Sequence, residues 1–319
     1  MEPNGPPTPR TEDSLLLEEL DKNLFRCDPA HLWRPVGARG VFGGQIIGLS
    51  LVAATNTVPR THKVHSLHSY FLLGGDNSRA ILFRVEAMRD SRSFVTRQVT
   101  AQQNGRPIFV LICSFMRPED TPLEHQYTMP VAPAPESLPS REQMMESWIQ
   151  QTPKKYHESI RERLEEPIPI DMRPCEPLKE PRQLVWMKSK TGLPADPAFH
   201  MCVAAYCSDH HLLWTTLRPH AVTGVLGMLV SLDHSMWYHS DFRADEWLLY
   251  EMESPRVSAG RGMALGRLWT RDGKLAVTIA QEGLIRANLN PEKPLTVGFG
   301  RVPPRKEQEG EPKPGKSKL

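Results

Sequence analysis

Twelve histidines and five cysteines are the side chains here that could carry metal or nucleophilic chemistry, and their spacing restricts what they can do. His62, His65 and His68 recur at every third residue, and His210 and His211 are adjacent. On a strand a spacing of three alternates faces, so the first trio cannot converge on one ion. The zinc-protease pattern HExxH is absent. Cys27, Cys113, Cys175, Cys202 and Cys207 are odd in number and never spaced as CxxC, which points to reduced thiols and away from a disulfide frame or zinc site. Cys113 closes the apolar run Ile-Phe-Val-Leu-Ile-Cys, where burial raises a thiol's pKa and leaves it inert. No GxSxG serine elbow occurs. Gly310 to Ser317 spells GxxxxGK[ST], but a phosphate cradle needs a strand before it and a helix after it, and Pro312 and Pro314 remove backbone donors. No metal and no cofactor is therefore expected. Asp209, Ser231 and Gln281, taken singly, read as a solvated acid at a helix end, an ordinary strand serine and a polar strand residue.

The elements that would position such residues come in two copies of roughly a hundred residues each. Each copy opens on a helix of small residues, after Phe42-Gly43-Gly44-Gln45 in the first and after Asp196-Pro197 in the second, and both helices carry Val-Ala-Ala. An extended segment follows, HSLHSYFLL from His65 and VSLDHSMWYH from Val230, which sets Ser66 against Ser231. A long hairpin comes next, turning at Asn104-Gly105 and at Asp272-Gly273, dipeptides that tolerate the positive φ of a type I′ turn. Placing Gly105 on Gly273 sets Cys113 against Gln281, and placing Val52 on Val203 sets Val58 against Asp209. Trp237, Trp247 and Trp269 read as core, and His234 as a structural histidine.

At 319 residues the chain has room for two units by the prior of about 100 to 200 residues per domain. The expected division is 14–117 for the first repeat, 118–181 for a Pro-rich linker, 182–290 for the second repeat and 291–319 for a disordered tail. Helices are expected in the linker at Arg141 to Gln151 and Lys155 to Leu164. A net charge of +2 gives no reason to expect nucleic acid as a partner. The longest apolar stretch, Ile108 to Met116, is far short of the about 20 residues that span a bilayer, so no transmembrane segment is expected, and the first residues lack a signal-peptide pattern. Ser317-Lys318-Leu319 matches the peroxisomal import address, in a tail with no large apolar residue from Pro303 to Lys318; a peroxisomal matrix location and the import receptor as partner are expected.

One helix followed by an antiparallel meander, repeated in tandem, is the α+β double hot-dog pattern. In Phe42-Gly43-Gly44-Gln45, Val64 to Phe71, Ser231 to Trp237, Phe242 to Glu251 and Gln281-Glu282-Gly283 the chain resembles the acyl-CoA thioesterase II family. The resemblance spans about Leu16 to Arg286. It implies hydrolysis of fatty acyl-CoA, with the family's catalytic Asp at Asp209, its Ser or Thr at Ser231 and its Gln at Gln281. A thioester needs little acid assistance, because its leaving thiol has a pKa near that of cysteine, about 8.5; the demanding step is activating water. Asp209 suits a general base, and Ser231 and Gln281 each offer a donor and an acceptor to orient the water. Val58 and Cys113 lack that chemistry, so one site per chain is expected. Gly43, Gly44 and Gln45 are candidate substrate contacts that could polarise the thioester oxygen from a helix N-terminus, and His65 is another. A non-catalytic acyl-CoA binder and an enoyl-CoA hydratase are the alternatives; the hydratase pattern wants Asn or His five residues after the Asp, where this chain has Trp214. A homodimer is expected from the faces such a fold leaves open.

Overall fold

The structure is a computed structural model and describes residues 8–175, 181–220 and 226–287. The 291–319 tail, with Ser317, Lys318 and Leu319, lies outside the described residues. The first half runs α1 (Thr11–Ser14), β1 (Glu18–Asp21), β2 (Leu24–Cys27), α2 (Gly43–Thr55), β3 (Lys63–Phe71), β4 (Ile81–Asp90), β5 (Phe94–Gln103) and β6 (Arg106–Met116). Helices α3 (Arg141–Gln151) and α4 (His157–Leu164) follow. The second half runs β7 (Ile170–Pro174), β8 (Arg182–Ser189), α5 (Pro197–Ser208), β9 (Leu226–Ser231), β10 (Asp233–Tyr238), β11 (Leu248–Ser258), β12 (Arg261–Thr270) and β13 (Leu275–Ala287).

All thirteen strands join one antiparallel sheet of order β1-β2-β4-β5-β6-β3-β10-β13-β12-β11-β8-β7, with β9 continuing β10 along β13. The order is a palindrome about the β3–β10 pair, as two like repeats joined edge to edge require. Each repeat wraps a single long helix. The two helices run antiparallel against each other and are buried along almost their whole length. Their close approach needs glycine: a Cβ on Gly44 would strike the Tyr206 carbonyl, and one on Gly48 would come 2.7 Å from Leu15 and 3.3 Å from the Cys202 carbonyl. Alternation drives the strands, as in β5, where Val95, Arg97, Val99 and Ala101 point inward and their neighbours do not.

Three details differ from the sequence reading. At Asn104-Gly105 both residues have positive φ (51° and 71°), as a type I′ turn demands, but at Asp272-Gly273 only Gly273 does (89°). Both hairpins shift register before the turn, at Ala101/Gln102 and at Leu268/Trp269, and the longer second loop takes up one extra residue. Strand β7 lies inside the segment expected to be linker, zipped to β8 from Ile170↔Ser189 to Pro174↔Val185. The ladders also realign the repeats. In β3 the register slips between Val64 and Ser66, and the same break falls at Leu232, between Ser231 paired to Gly283 and Ser235 paired to Ala280. Ser231 therefore corresponds to Val64, and Ser66 to Asp233, two residues away from the match made by eye.

The linker helices form where expected. Ser140 and Gln143 close a capping box on α3. Before them the chain lies along the second repeat's hairpin, with the Trp186 indole donating to the Pro133 carbonyl at 2.8 Å and the Gln126 amide donating to the Gly273 carbonyl at 2.8 Å.

Candidate active site

Asp209 is the C-cap of α5, where an acid opposes that helix's own dipole. The antiparallel packing resolves the conflict, because the same place is the N-terminus of α2. The Gly44 N–H donates to Asp209 Oδ2 at 2.9 Å, and a Cβ on Gly43 would sit 2.7 Å from that oxygen. Glycine at 43 and 44 thus lets the carboxylate meet the helix end. The other oxygen, Oδ1, accepts from Gln281 Nε2 at 2.9 Å, and Gln281 Nε2 also donates to Ser231 Oγ at 2.7 Å. One buried amide gathers a helix end and the end of β9 around itself. Of the three residues singled out in the sequence, Gln281 touches both of the others.

Their placement follows from local chain features. Glu282 N–H donates to Asp233 Oδ1 at 2.7 Å and the Leu232 N–H to the Glu282 carbonyl at 2.9 Å, which pins the β9–β10 break and with it Ser231. Beyond Asp209 the chain turns through His211 at φ 65°, and the His211 carbonyl accepts from Gln183 Nε2 at 3.0 Å. Burial raises the Asp209 pKa above the usual carboxylate value, while the Gln281 and Gly44 donors pull it back down. Burial also keeps the neighbouring imidazoles neutral: His210 is far below its ordinary value and His211 falls to about 4.

A cavity of about 520 Å³ opens on Asp209 and Ser231. Its walls are mostly apolar, among them Trp33, Phe42, Phe71 and Met228, with the Arg39 and Arg163 guanidiniums on its lining. Phe42 and Phe71 fall in the family-like motifs, whereas Trp33, Arg39, Arg163 and Met228 had no local sequence signal; the loop from Pro35 to Gly40, which also lines the cavity, is irregular, and its role depends on what it faces. That loop is held by the linker, since Val36 N–H donates to Glu166 Oε1 at 2.7 Å and Arg163 donates to the Val36 carbonyl at 3.2 Å. Among the described residues no group of three or more His, Cys, Asp or Glu side chains could hold a metal ion, and no helix is long and apolar enough to cross a membrane.

Two expected contacts are corrected. Gln45 is fully buried, and its side chain staples the N-terminal segment: Nε2 donates to the Ser14 and His31 carbonyls at 2.9 and 2.6 Å, and Oε1 accepts from Trp33 N at 2.9 Å. Its backbone N–H goes to the Phe42 carbonyl, so no donor remains for a substrate. His65 does not line the cavity; its ring packs edge-on against Phe94 at 5.8 Å. Gly44 spends its N–H on Asp209, which leaves Gly43 as the α2 residue whose N–H bonds no described residue.

The first repeat has different chemistry at the matching place. Cys113 pairs with Arg97 as Gln281 pairs with Ala264, and Val64 stands where Ser231 does. Matching the helices at their C-caps sets Asn56 against Asp209, and Val58 lies two residues further on. Arg97 is buried and fills the space: Nε donates to Thr57 Oγ1 at 3.0 Å, and NH2 to the Thr57 carbonyl at 3.2 Å and Asp90 Oδ1 at 2.8 Å.

Two helices back to back within one shared sheet, with a polar cluster at the end of an apolar cavity lined by both repeats, define a double hot-dog protein. The family model for acyl-CoA thioesterase matches residues 161–284, and that for the acyl-CoA thioesterase N-terminal domain matches 30–116. The chain is 43% identical to acyl-coenzyme A thioesterase 8 of Homo sapiens over 85% of its length and 87% of that protein's. It is 27% identical to peroxisomal acyl-coenzyme A thioester hydrolase 1 of Saccharomyces cerevisiae, over 79% of this chain and 87% of that one. Among solved structures, the acyl-CoA thioesterase II TesB2 of Mycobacterium marinum superposes with a TM-score of 0.69 at 36% identity, covering 86% of this chain and 98% of that one. A hot-dog protein of unknown function from Alicyclobacillus acidocaldarius superposes at 0.66 with 16% identity over 86% and 97%, a likeness of fold. The chain belongs to the acyl-CoA thioesterase II family. It is an acyl-CoA hydrolase.

Proposed function

We propose that the chain hydrolyses fatty acyl-CoA by direct attack of a water that Asp209 deprotonates and that Ser231 and Gln281 hold in line with the thioester carbonyl. The observation that carries this reading is the Gln281 amide bridging Asp209 and Ser231 at 2.9 and 2.7 Å. With its two amide hydrogens so placed, Gln281 leaves the Ser231 hydroxyl proton and the free lone pairs of Asp209 facing the cavity. A water there donates to the carboxylate and accepts from serine, which aims its remaining lone pair at the substrate. Attack forms the C–O bond and passes the water proton to Asp209. The intermediate collapses with loss of the thiolate, which recovers that proton. The Gly43 N–H at the α2 N-terminus is the donor available to the developing oxyanion. The apolar walls take the acyl chain, and the exposed Arg39 offers charge to the CoA phosphates.

A single turnover in H₂¹⁸O with enzyme in excess tests the mechanism. Direct attack puts one ¹⁸O into the first fatty acid released; unlabelled acid with label left on Asp209 would instead mean an acyl-enzyme on the carboxylate.

The same proposal places the enzyme in the peroxisomal matrix, with Ser317-Lys318-Leu319 read by the import receptor. The yeast relative is named as peroxisomal, which agrees. Deleting the tripeptide from a fluorescent fusion should leave it cytosolic, and unchanged peroxisomal punctae would refute the address. A homodimer completes the reading: Tyr70, Ile112 and Trp237 form an exposed apolar face on β3, β6 and β10, of the kind a second copy covers. Sedimentation equilibrium should give twice the 36.1 kDa chain mass, and a monomer at micromolar concentration would exclude the dimer.

A further inference from the structure

The atoms that remain unpaired beside this site identify a fourth member. Extending the β10–β13 ladder one step past Ser235↔Ala280 puts His234 opposite Gln281. Both side chains point inward and both are fully buried, and directly opposed residues on one face of an antiparallel pair have Cβ atoms about 4.5 to 5.5 Å apart. His234 Nε2 lies 2.8 Å from Ser208 Oγ. The other ring nitrogen, Nδ1, and the Gln281 carbonyl oxygen Oε1 are both buried with no other partner among the described residues. Facing side chains thus carry one orphan atom each.

Counting protons decides how they pair. Gln281 commits both amide hydrogens, to Asp209 and to Ser231, so its Oε1 can only accept. His234 Nδ1 supplies the donor if Nε2 is bare and accepts the Ser208 hydroxyl. The alternative sends the Ser208 proton to the Ala205 carbonyl, 2.8 Å away, and protonates Nε2. Nδ1 would then be a bare acceptor, and the amide would have to turn over and press its oxygen against the Asp209 carboxylate. Two buried acceptors in contact are unfavourable, so the first arrangement is the one compatible with an ionised Asp209.

Resting on the reading of Asp209, Ser231 and Gln281 given above, we infer that His234 is a positioning residue. Held as its Nδ1–H tautomer by Ser208, it donates to Gln281 Oε1 and fixes the amide so that both N–H bonds face Asp209 and Ser231. Burial brings the His234 pKa down to about 4, which keeps the ring neutral near pH 7. His234 does not line the cavity, so it acts through Gln281 and does not touch substrate. In the first repeat the partner of Cys113 is Leu67: where there is no amide to orient, there is no imidazole.

The full-length chain with ¹⁵N-labelled histidine tests this in a long-range ¹H–¹⁵N correlation at pH 7. His234 should show a protonated Nδ1 and a bare Nε2; the reverse pattern overturns the inference, whatever the variants do. His234→Leu, the first-repeat residue, should lower kcat by about 10²-fold with KM within twofold, as loss of one oriented donor does. His234→Asn, whose amide N–H replaces Nδ1–H, should recover most of that loss. Equal losses in both variants, or none in His234→Leu, overturn the inference. Gln281→Ala separates the two levels: if kcat survives in Gln281→Ala, the three-residue reading falls; if Gln281→Ala is impaired and His234→Leu is not, only the role of His234 falls.

Discussion

The two repeats share strand order, hairpin register and even the position of a backbone slip, yet they put opposite charges beside their helices. In the first, Arg97 carries a guanidinium to the end of α2, where the helix dipole favours a cation, and packs it against Thr57 and Asp90. In the second, the matching position is Ala264, too short to reach the helix end, and Asp209, Ser231, Gln281 and His234 stand where the first repeat has Asn56, Val64, Cys113 and Leu67. Asp209 is tolerated because α2 begins where α5 ends. A duplicated frame can thus carry a buried guanidinium at the end of one helix and a polar cluster at the end of the other. The difference turns on side-chain volume as much as on polarity, since the first repeat puts an arginine where the second has alanine.

The sharpest way to break the comparison is to make the second repeat resemble the first. Ala264→Arg should bring a guanidinium to the turn holding Asp209, displace the water and cut thiol release by about 10²-fold or more, the order associated with losing a positioned reactant. Steady-state kinetics with circular dichroism as a fold check measure it. Near-normal activity would show that the small side chain at Ala264 is not what distinguishes the repeats.

The pH profile offers a smaller effect. Burial raises the Asp209 pKa, and the carboxylate is needed ionised, so the acid limb of kcat/KM should lie above the ordinary aspartate value of about 3.9. For stability the sign is opposite. A group whose folded pKa is raised favours the native state below its unfolded pKa, and that contribution is lost as pH rises through the folded value. Wild-type protein should accordingly lose this contribution as pH rises through the folded Asp209 value, which thermal melts across pH follow. An acid limb at or below the ordinary value would contradict the burial argument.

The smallest effect on catalysis is expected in the first repeat. Arg97→Leu should destabilise the protein by about 1 to 3 kcal/mol, since it leaves the Thr57 carbonyl and Asp90 without their partner, and should leave kcat and KM within about twofold at 25 °C. Denaturant titration and kinetics on the same sample check both halves. A large kcat loss in a folded variant would mean that Arg97 itself bears on the site.

Much of this architecture is legible in the chain. The Gly-bearing turns, the alternating strands around them and the two small-residue helices together carry the double hot-dog pattern. Register is less visible, because the slip after Val64 leaves no mark on the alternation, and matching Ser66 to Ser231 by eye missed it by two residues. Strand β7 was hidden in a proline-rich, charged stretch whose pairing to β8 is set by tertiary contact. The site could be located only by resemblance. Asp209, Ser231 and Gln281 are far apart in sequence and individually ordinary, and the cue that joins them is a buried amide. Gln45 shows the converse: it sits in a family-like motif, and its side chain is spent on holding the N-terminal segment.

The most direct measurement is residual thiol release in Asp209→Asn, assayed on palmitoyl-CoA with protein whose melting curve matches or exceeds wild type. One working site in the second repeat predicts a kcat reduced by about 10² to 10⁴, the range for loss of a general base. A residual rate near half of wild type would reveal a second competent site in the first repeat, and an undiminished rate would remove Asp209 from the chemistry.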